Sequence, residues 1–127
     1  TIKKLLNGEK IVIHADKSRT KAGTRFYIHA RNVAAAVLFL LEKGEIGEKY
    51  NIVGEQEVSN LEIAQKIADV LEMPLEYEMV DFHSSRPGHD LRYAIDFSKA
   101  KNELSWEPAV SFDQGLKKTI DFYYNMI

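Results

Sequence analysis

The chain contains no cysteine, which excludes a disulfide framework, thiolate metal sites and a cysteine nucleophile. It also lacks charge of one dominant sign. Seventeen basic residues face nineteen acidic ones, a formal net charge of -2, whereas a general nucleic-acid binder shows a clear cationic excess or face. Its longest apolar run, Val33 to Leu41, is too short to cross a bilayer as a helix. No charged-then-apolar leader opens the chain. The expectation is a cytoplasmic protein with neither nucleic acid nor membrane as a partner. Four histidines, His14, His29, His83 and His89, have no metal-ligand spacing, so no metal site is expected.

What is present is ordinary for a folded domain. Apolar residues make up 45% and charged residues 28% of 127 positions, enough for one domain around one core and too apolar for disorder. The first residue is Thr1 rather than Met, and Ile2, Leu5 and Leu6 already follow a helical spacing that Gly8 closes. A chain that opens inside an amphipathic helix is expected to be a piece of something longer.

The periodicity then alternates between short strands and helices. Lys10 to His14 and the aromatic, β-branched run Thr24 to Ile28 predict two strands, separated by a polar, basic stretch carrying Lys17, Arg19 and Lys21. Asn32 is expected to cap a helix over Val33–Lys43, stopped by Gly44, and its apolar first turns predict a buried helix. Tyr50 to Val53 predicts a third strand. Ser59 and Glu62 form a capping-box pattern. The helix that follows carries Leu61, Ala64, Ala68 and Leu71 on one stripe, widened by Ile63 and Ile67, and Pro74 prevents its continuation.

Leu75 to Asp81 alternates like a half-buried strand, His83 to Leu91 reads as a loop, and Arg92 to Ile95 as a brief strand. Ser98 is expected to cap a helix that Trp106-Glu107-Pro108 breaks. Ser111 and Gln114 open a last helix presenting Phe112, Leu116, Ile120, Tyr123 and Ile127 on one face, and the cluster Phe122-Tyr123-Tyr124 is expected in the core. The sum is a single mixed α/β domain over residues 1–127.

Arg86-Pro87-Gly88-His89-Asp90 is the stretch richest in chemistry. Pro87 pre-sets φ for the second position of a tight turn and Gly88 accepts the positive φ of the third, so the Cα atoms of Arg86 and His89 are expected within about 7 Å. A guanidinium and an imidazole held that close suit a ligand with a phosphate beside hydroxyls.

The continuation Leu91-Arg92-Tyr93-Ala94-Ile95-Asp96 makes the run resemble a motif of dTDP-glucose 4,6-dehydratases, members of the extended short-chain dehydrogenase/reductases. Further blocks are similar in order and spacing: Gly23-Thr24-Arg25 with Tyr27, Gly47 to Ile52, Asn60-Leu61-Glu62, and Glu103 to Pro108. The resemblance implies a small C-terminal substrate-binding domain of such an enzyme. It implies that Arg25 and Arg86 contact a nucleotide diphosphate, that Asn60 shares the pocket, and that His89 belongs to the binding turn. Phe26, Ser85 and Ser105 depart from the pattern, standing where the family has aspartate, aspartate and glycine.

The resemblance also implies what is missing. In the family NAD lies on a Gly-x-x-Gly-x-x-Gly turn, and a tyrosine and lysine four apart do acid-base work. This sequence has neither pattern. The expectation is a nucleotide-diphosphate sugar as ligand, NAD bound only by an N-terminal Rossmann half outside this chain, no catalytic residue here, and no turnover alone. An exposed apolar face, or self-association that covers it, should mark where that half packs. The alternatives are the same domain of a nucleotide-sugar epimerase or decarboxylase, or a stand-alone, non-catalytic binding module.

Overall fold

A computed structural model describes residues 1–85 and 87–126 of the chain. It is a mixed α/β unit in which four elements build the core. Helix α1 (Ile2–Leu6), strand β1 (Ile11–Ala15), helix α3 (Asn60–Val70) and helix α6 (Phe112–Met126) bury Leu5, Ile11, Ile13, Ala64, Ile67, Ala68 and Ile120 against one another. The α3 stripe faces inward as its spacing predicts, with Leu61, Ile63 and Leu71 packed around it. Its start is a reciprocal cap: Ser59 Oγ accepts from the Glu62 N–H at 3.0 Å, and Glu62 Oε2 from the Ser59 N–H at 2.7 Å. Ser111 and Gln114 repeat that exchange at α6, both at 3.3 Å.

Two small sheets flank this core. β1 pairs in parallel with β4 (Tyr77–Asp81), the crossover between them containing α3. In the second sheet β2 (Thr24–Phe26) is central, antiparallel to β3 (Glu57–Ser59) and parallel to β5 (Arg92–Tyr93).

Several expectations are corrected. The predicted strand at Tyr50–Val53 does not form; the strand that does is β3, a few residues later. Strand identity depends on a hydrogen-bonding neighbour, and β2 offers its edge to 57–59 instead. Asn32 is not a cap. Helix α2 (Ala30–Lys43) starts earlier, with His29 Nδ1 accepting from the Arg31 N–H at 3.2 Å. The Asn32 side chain is buried and bonds both backbone groups of Val110, donating at 2.7 Å and accepting at 3.1 Å. Residues 83–91 are not all loop, since α4 (Phe82–Ser85) opens on Asp81 Oδ1, which accepts from the His83 N–H at 2.9 Å. At helix α5 (Ser98–Leu104) Phe97 holds the cap position, and the Asp96 carboxylate takes the Ser98 N–H at 2.8 Å.

The apolar α2 is not buried either. Ala36 and Asn32 face inward, while Leu38 is 66% and Leu41 79% exposed, flanked by exposed Val33, Val37 and Ile46. Phe122, Tyr123 and Tyr124 likewise lie on the surface. These exposed apolar side chains run along α2. No helix among the described residues is long and apolar enough to cross a membrane.

Candidate functional site

The β3-β2-β5 sheet and the start of α3 bring two of the candidate residues, Arg25 and Asn60, together. Cross-strand neighbours share a face and successive residues alternate. The register therefore puts Arg25, Tyr93 and Val58 on one side, and Thr24, Arg92, Ser59 and Glu57 on the other. Arg25 lies over the ring of Tyr93, 4.2 Å from its centroid. Its Nη1 donates to the carbonyls of Thr24 at 2.6 Å and Leu91 at 3.1 Å, and its Nη2 to Asp90 at 3.2 Å. Three of the five guanidinium donors are thus engaged and two remain. Arg25 both carries charge into the site and holds the loop that covers it.

Gly23 explains how closely these groups approach. A Cβ there would sit 3.2 Å from the Leu91 carbonyl, 3.3 Å from Asn60 Nδ2 and 3.5 Å from Arg25 Nη1. The missing side chain lets the loop and two donors crowd one point. Asn60 is the first residue of α3, and Gly23 accepts its backbone N–H at 2.8 Å. The Tyr27 hydroxyl donates to Asn60 Oδ1, which leaves the amide nitrogen facing Gly23 and Arg25. Burial pushes the Tyr27 hydroxyl above its ordinary value, the Arg25 charge acting in the opposite sense, so it remains a donor at neutral pH.

Arg25 and Asn60 therefore meet at Gly23. His89 is exposed, its ring edge-on to buried Phe82 at 5.6 Å, and Asp90 beside it supplies a carbonyl to Arg25. Gly88 takes φ +86, the value required at the third position of the tight turn. Arg86 lies outside the described residues. Sequence reasoning missed Gly23 and Tyr93 as parts of this site. A glycine at the mouth of a strand was the available signal for Gly23; nothing local marks Tyr93, whose role arises from the β2–β5 register.

On the opposite face Glu57 accepts from three donors: Arg92 Nε at 2.6 Å and Nη2 at 2.9 Å, and Thr24 Oγ1 at 2.7 Å. The Arg92 bonds, then Thr24, lower the Glu57 carboxyl from 4.5 to about 2. Asp16, in the basic loop before β2, is also lowered to about 2, chiefly by the Ser18 hydroxyl and then the Lys21 and Thr20 N–H groups. A cleft of about 260 Å³ lies nearby between Tyr27, His29, Gly54, Ile63, Phe112 and Leu116. It shares the Tyr27 wall with the site, but Arg25, Asn60 and His89 do not line it.

No glycine-rich turn opens a helix among the described residues. A dinucleotide cofactor needs such a turn, whose backbone N–H groups open a helix onto its pyrophosphate. The helices of eight or more residues, α2, α3 and α6, open instead on the side chains of His29, Ser59 and Ser111.

Comparison with known proteins places this geometry. A dTDP-glucose 4,6-dehydratase of Xanthomonas campestris is 37% identical over 96% of this chain and 36% of its own length. Among solved structures, the NAD complex of the Bacillus anthracis dTDP-glucose 4,6-dehydratase superposes with a TM-score of 0.82 at 34% identity, over 98% of this chain and 37% of that one. The UDP-glucuronic acid 4-epimerase of Bacillus cereus, bound to UDP-glucuronic acid and NAD, gives 0.82 at 25% identity, over 99% and 38%. The chain thus spans little more than a third of the length of these proteins. The family model described as GDP-mannose 4,6 dehydratase matches residues 2–119, and with that match the chain belongs to the nucleotide-sugar dehydratase family of the extended short-chain dehydrogenase/reductases.

Proposed function

We propose that this stretch of chain binds the nucleotide-diphosphate sugar of an NAD-dependent sugar 4,6-dehydratase of the dTDP-glucose type. The observation that supports the reading most is the convergence of Arg25 and Asn60 at Gly23, beneath the loop that carries His89. The two remaining guanidinium donors and the Asn60 amide, at the amino-terminus of an eleven-residue helix, offer what a pyrophosphate oxygen requires. Arg86, which precedes Pro87 and Gly88 in sequence, supplies the second cation in this reading. The hydride and acid-base chemistry belongs to the cofactor-binding half of such an enzyme, so the chain alone has no turnover. Keto-sugar formation from dTDP-glucose and NAD by the purified chain would refute that part.

Binding is the direct test. Calorimetry should detect dTDP, and Arg25→Ala should weaken it by roughly 10- to 100-fold, the loss of a charge-assisted hydrogen bond or two. Arg25→Lys keeps the charge but not the fork, so it should restore only part of the affinity. No heat and no amide shift with dTDP or dTDP-glucose would sink the reading. Stronger binding of UDP-glucuronic acid than of dTDP-glucose would favour the epimerase alternative, which the structural likeness to the Bacillus cereus enzyme supports.

The α2 face is assigned to the contact with the cofactor-binding half. A contiguous exposed apolar stripe needs a cover, and the strand-patterned Tyr50–Val53 pairs with no strand among the described residues. Taken alone, the chain should self-associate through this stripe, and Leu38→Glu with Leu41→Glu should make it monomeric. Sedimentation that is independent of concentration in the unmutated chain would remove the assignment.

A further inference from the structure

We propose that Glu57 is a positioning residue for the ligand loop: by gripping Arg92 across the width of β2, it fixes the segment Pro87–Leu91 over Arg25 and Asn60. The inference rests on the nucleotide-sugar reading above and names the part that holds the binding loop in place.

The geometry begins with how little backbone holds β5. Its ladder to β2 is two residues long, Thr24 against Arg92 and Arg25 against Tyr93, far shorter than a self-sustaining strand. On the ligand side the loop is held by Arg25 and by the Thr24 N–H donating to Leu91 at 2.9 Å. The Arg25 bonds are the ones a bound diphosphate would compete with, because they use the same guanidinium. On the other side nothing competes. Glu57 lies two residues along β3 from Ser59, which pairs with Thr24 on the same face as Arg92. Its two carboxylate oxygens meet Nε and Nη2 of Arg92 in a bidentate pair, while Thr24 Oγ1 binds Oε1. One carboxylate therefore ties all three strands, and the planar fork fixes direction as well as distance.

An exposed ion pair contributes little to global stability, and the Arg92 side chain is 61% exposed. The expected consequence is local. With the clamp intact, the loop stays in place when Arg25 turns donors towards a ligand. Without it, the two-residue ladder frays and His89 and the Asp90 and Leu91 carbonyls lose their setting. Glu57 is ionised throughout the neutral range. Because its folded value is depressed, its contribution is fully present above 4.5 and disappears as pH falls through about 2.

The experiment compares the wild-type chain with E57Q and with the exchange E57R/R92E, using dTDP as the probe. E57Q should weaken dTDP binding roughly fivefold, the upper end for an exposed pair. It should speed hydrogen exchange at the Thr24 amide without ligand, and leave the melting temperature within about 3 °C. The charge exchange should restore both affinity and protection, which a residue needed only for its own side-chain contacts would not allow. The difference in protection between wild type and E57Q should close as the pH approaches 2. Unchanged exchange at Thr24, or an exchange variant no better than E57Q, overturns the clamp. Failure of the wild type to bind dTDP overturns the ligand reading instead, and the exchange measurement still decides whether Glu57 holds the loop.

Discussion

Gly54→Ala is expected to destabilise the chain by about 3 kcal/mol, the upper end of what overpacking a tight interior costs. Gly54 is buried, and a Cβ there would stand 1.8 Å from the Tyr27 carbonyl oxygen and 2.7 Å from its carbonyl carbon. Both atoms are main chain, so no rotamer change relieves the overlap. One of the two backbones must move, and Tyr27 is the residue whose hydroxyl orients the Asn60 amide. The melting temperature should fall by roughly 10 °C, and dTDP affinity should fall even where the chain remains folded. A variant that melts within about 2 °C of the wild type would show that the Gly54–Tyr27 approach is not tight.

The second large effect is expected at Asn32. Its amide satisfies both the N–H and the carbonyl of Val110, seventy-eight positions away in sequence. It thereby ties the start of α2 to the segment that leads into α6. Asn32→Ala leaves two backbone groups without partners in a poorly hydrated place, at about 1–3 kcal/mol for each such group. Partial access of water to Val110 lowers the sum, so the expected loss is about 3 kcal/mol in denaturant unfolding. Asn32→Asp keeps the acceptor for the Val110 N–H but sets a carboxylate against the carbonyl oxygen, and should be no better tolerated than alanine. Had Asn32 been a simple helix cap, aspartate would have substituted freely. The two variants therefore separate the tertiary role from the local one.

Local rules account for many of the elements. The Ser59–Glu62 box, the Ser111–Gln114 pair and the α3 stripe each arise from interactions within a few residues of chain, and each was legible for that reason. Where a local signal met a long-range competitor, the competitor won. Asn32 had the composition of a cap, but the unpaired groups of Val110 offered two bonds in place of one. Tyr50–Val53 had the composition of a strand, but strand pairing is a contract between distant segments, and β2 closed with 57–59.

The candidate site divides in the same way. Arg25, Asn60 and His89 were picked out by residue type and by resemblance to a family, and the fold sets the first two beside each other at Gly23. Arg86 falls outside the described residues. What no window of sequence contained was the division of labour between the sheet faces, with Arg25 and Tyr93 turned one way and Glu57, Thr24 and Arg92 the other.

By itself the sequence determined the mixed α/β class, the inward faces of α3 and most of α6, and the caps at Ser59 and Ser111. The tertiary structure alone decided which strands pair, that a side chain at Gly23 would be crowded by Leu91, Asn60 and Arg25, and that Glu57 reaches Arg92. The reason is the range of the forces involved: caps and stripes are settled within one or two helical turns, whereas strand register and close backbone approach exist only once residues thirty to seventy positions apart have met.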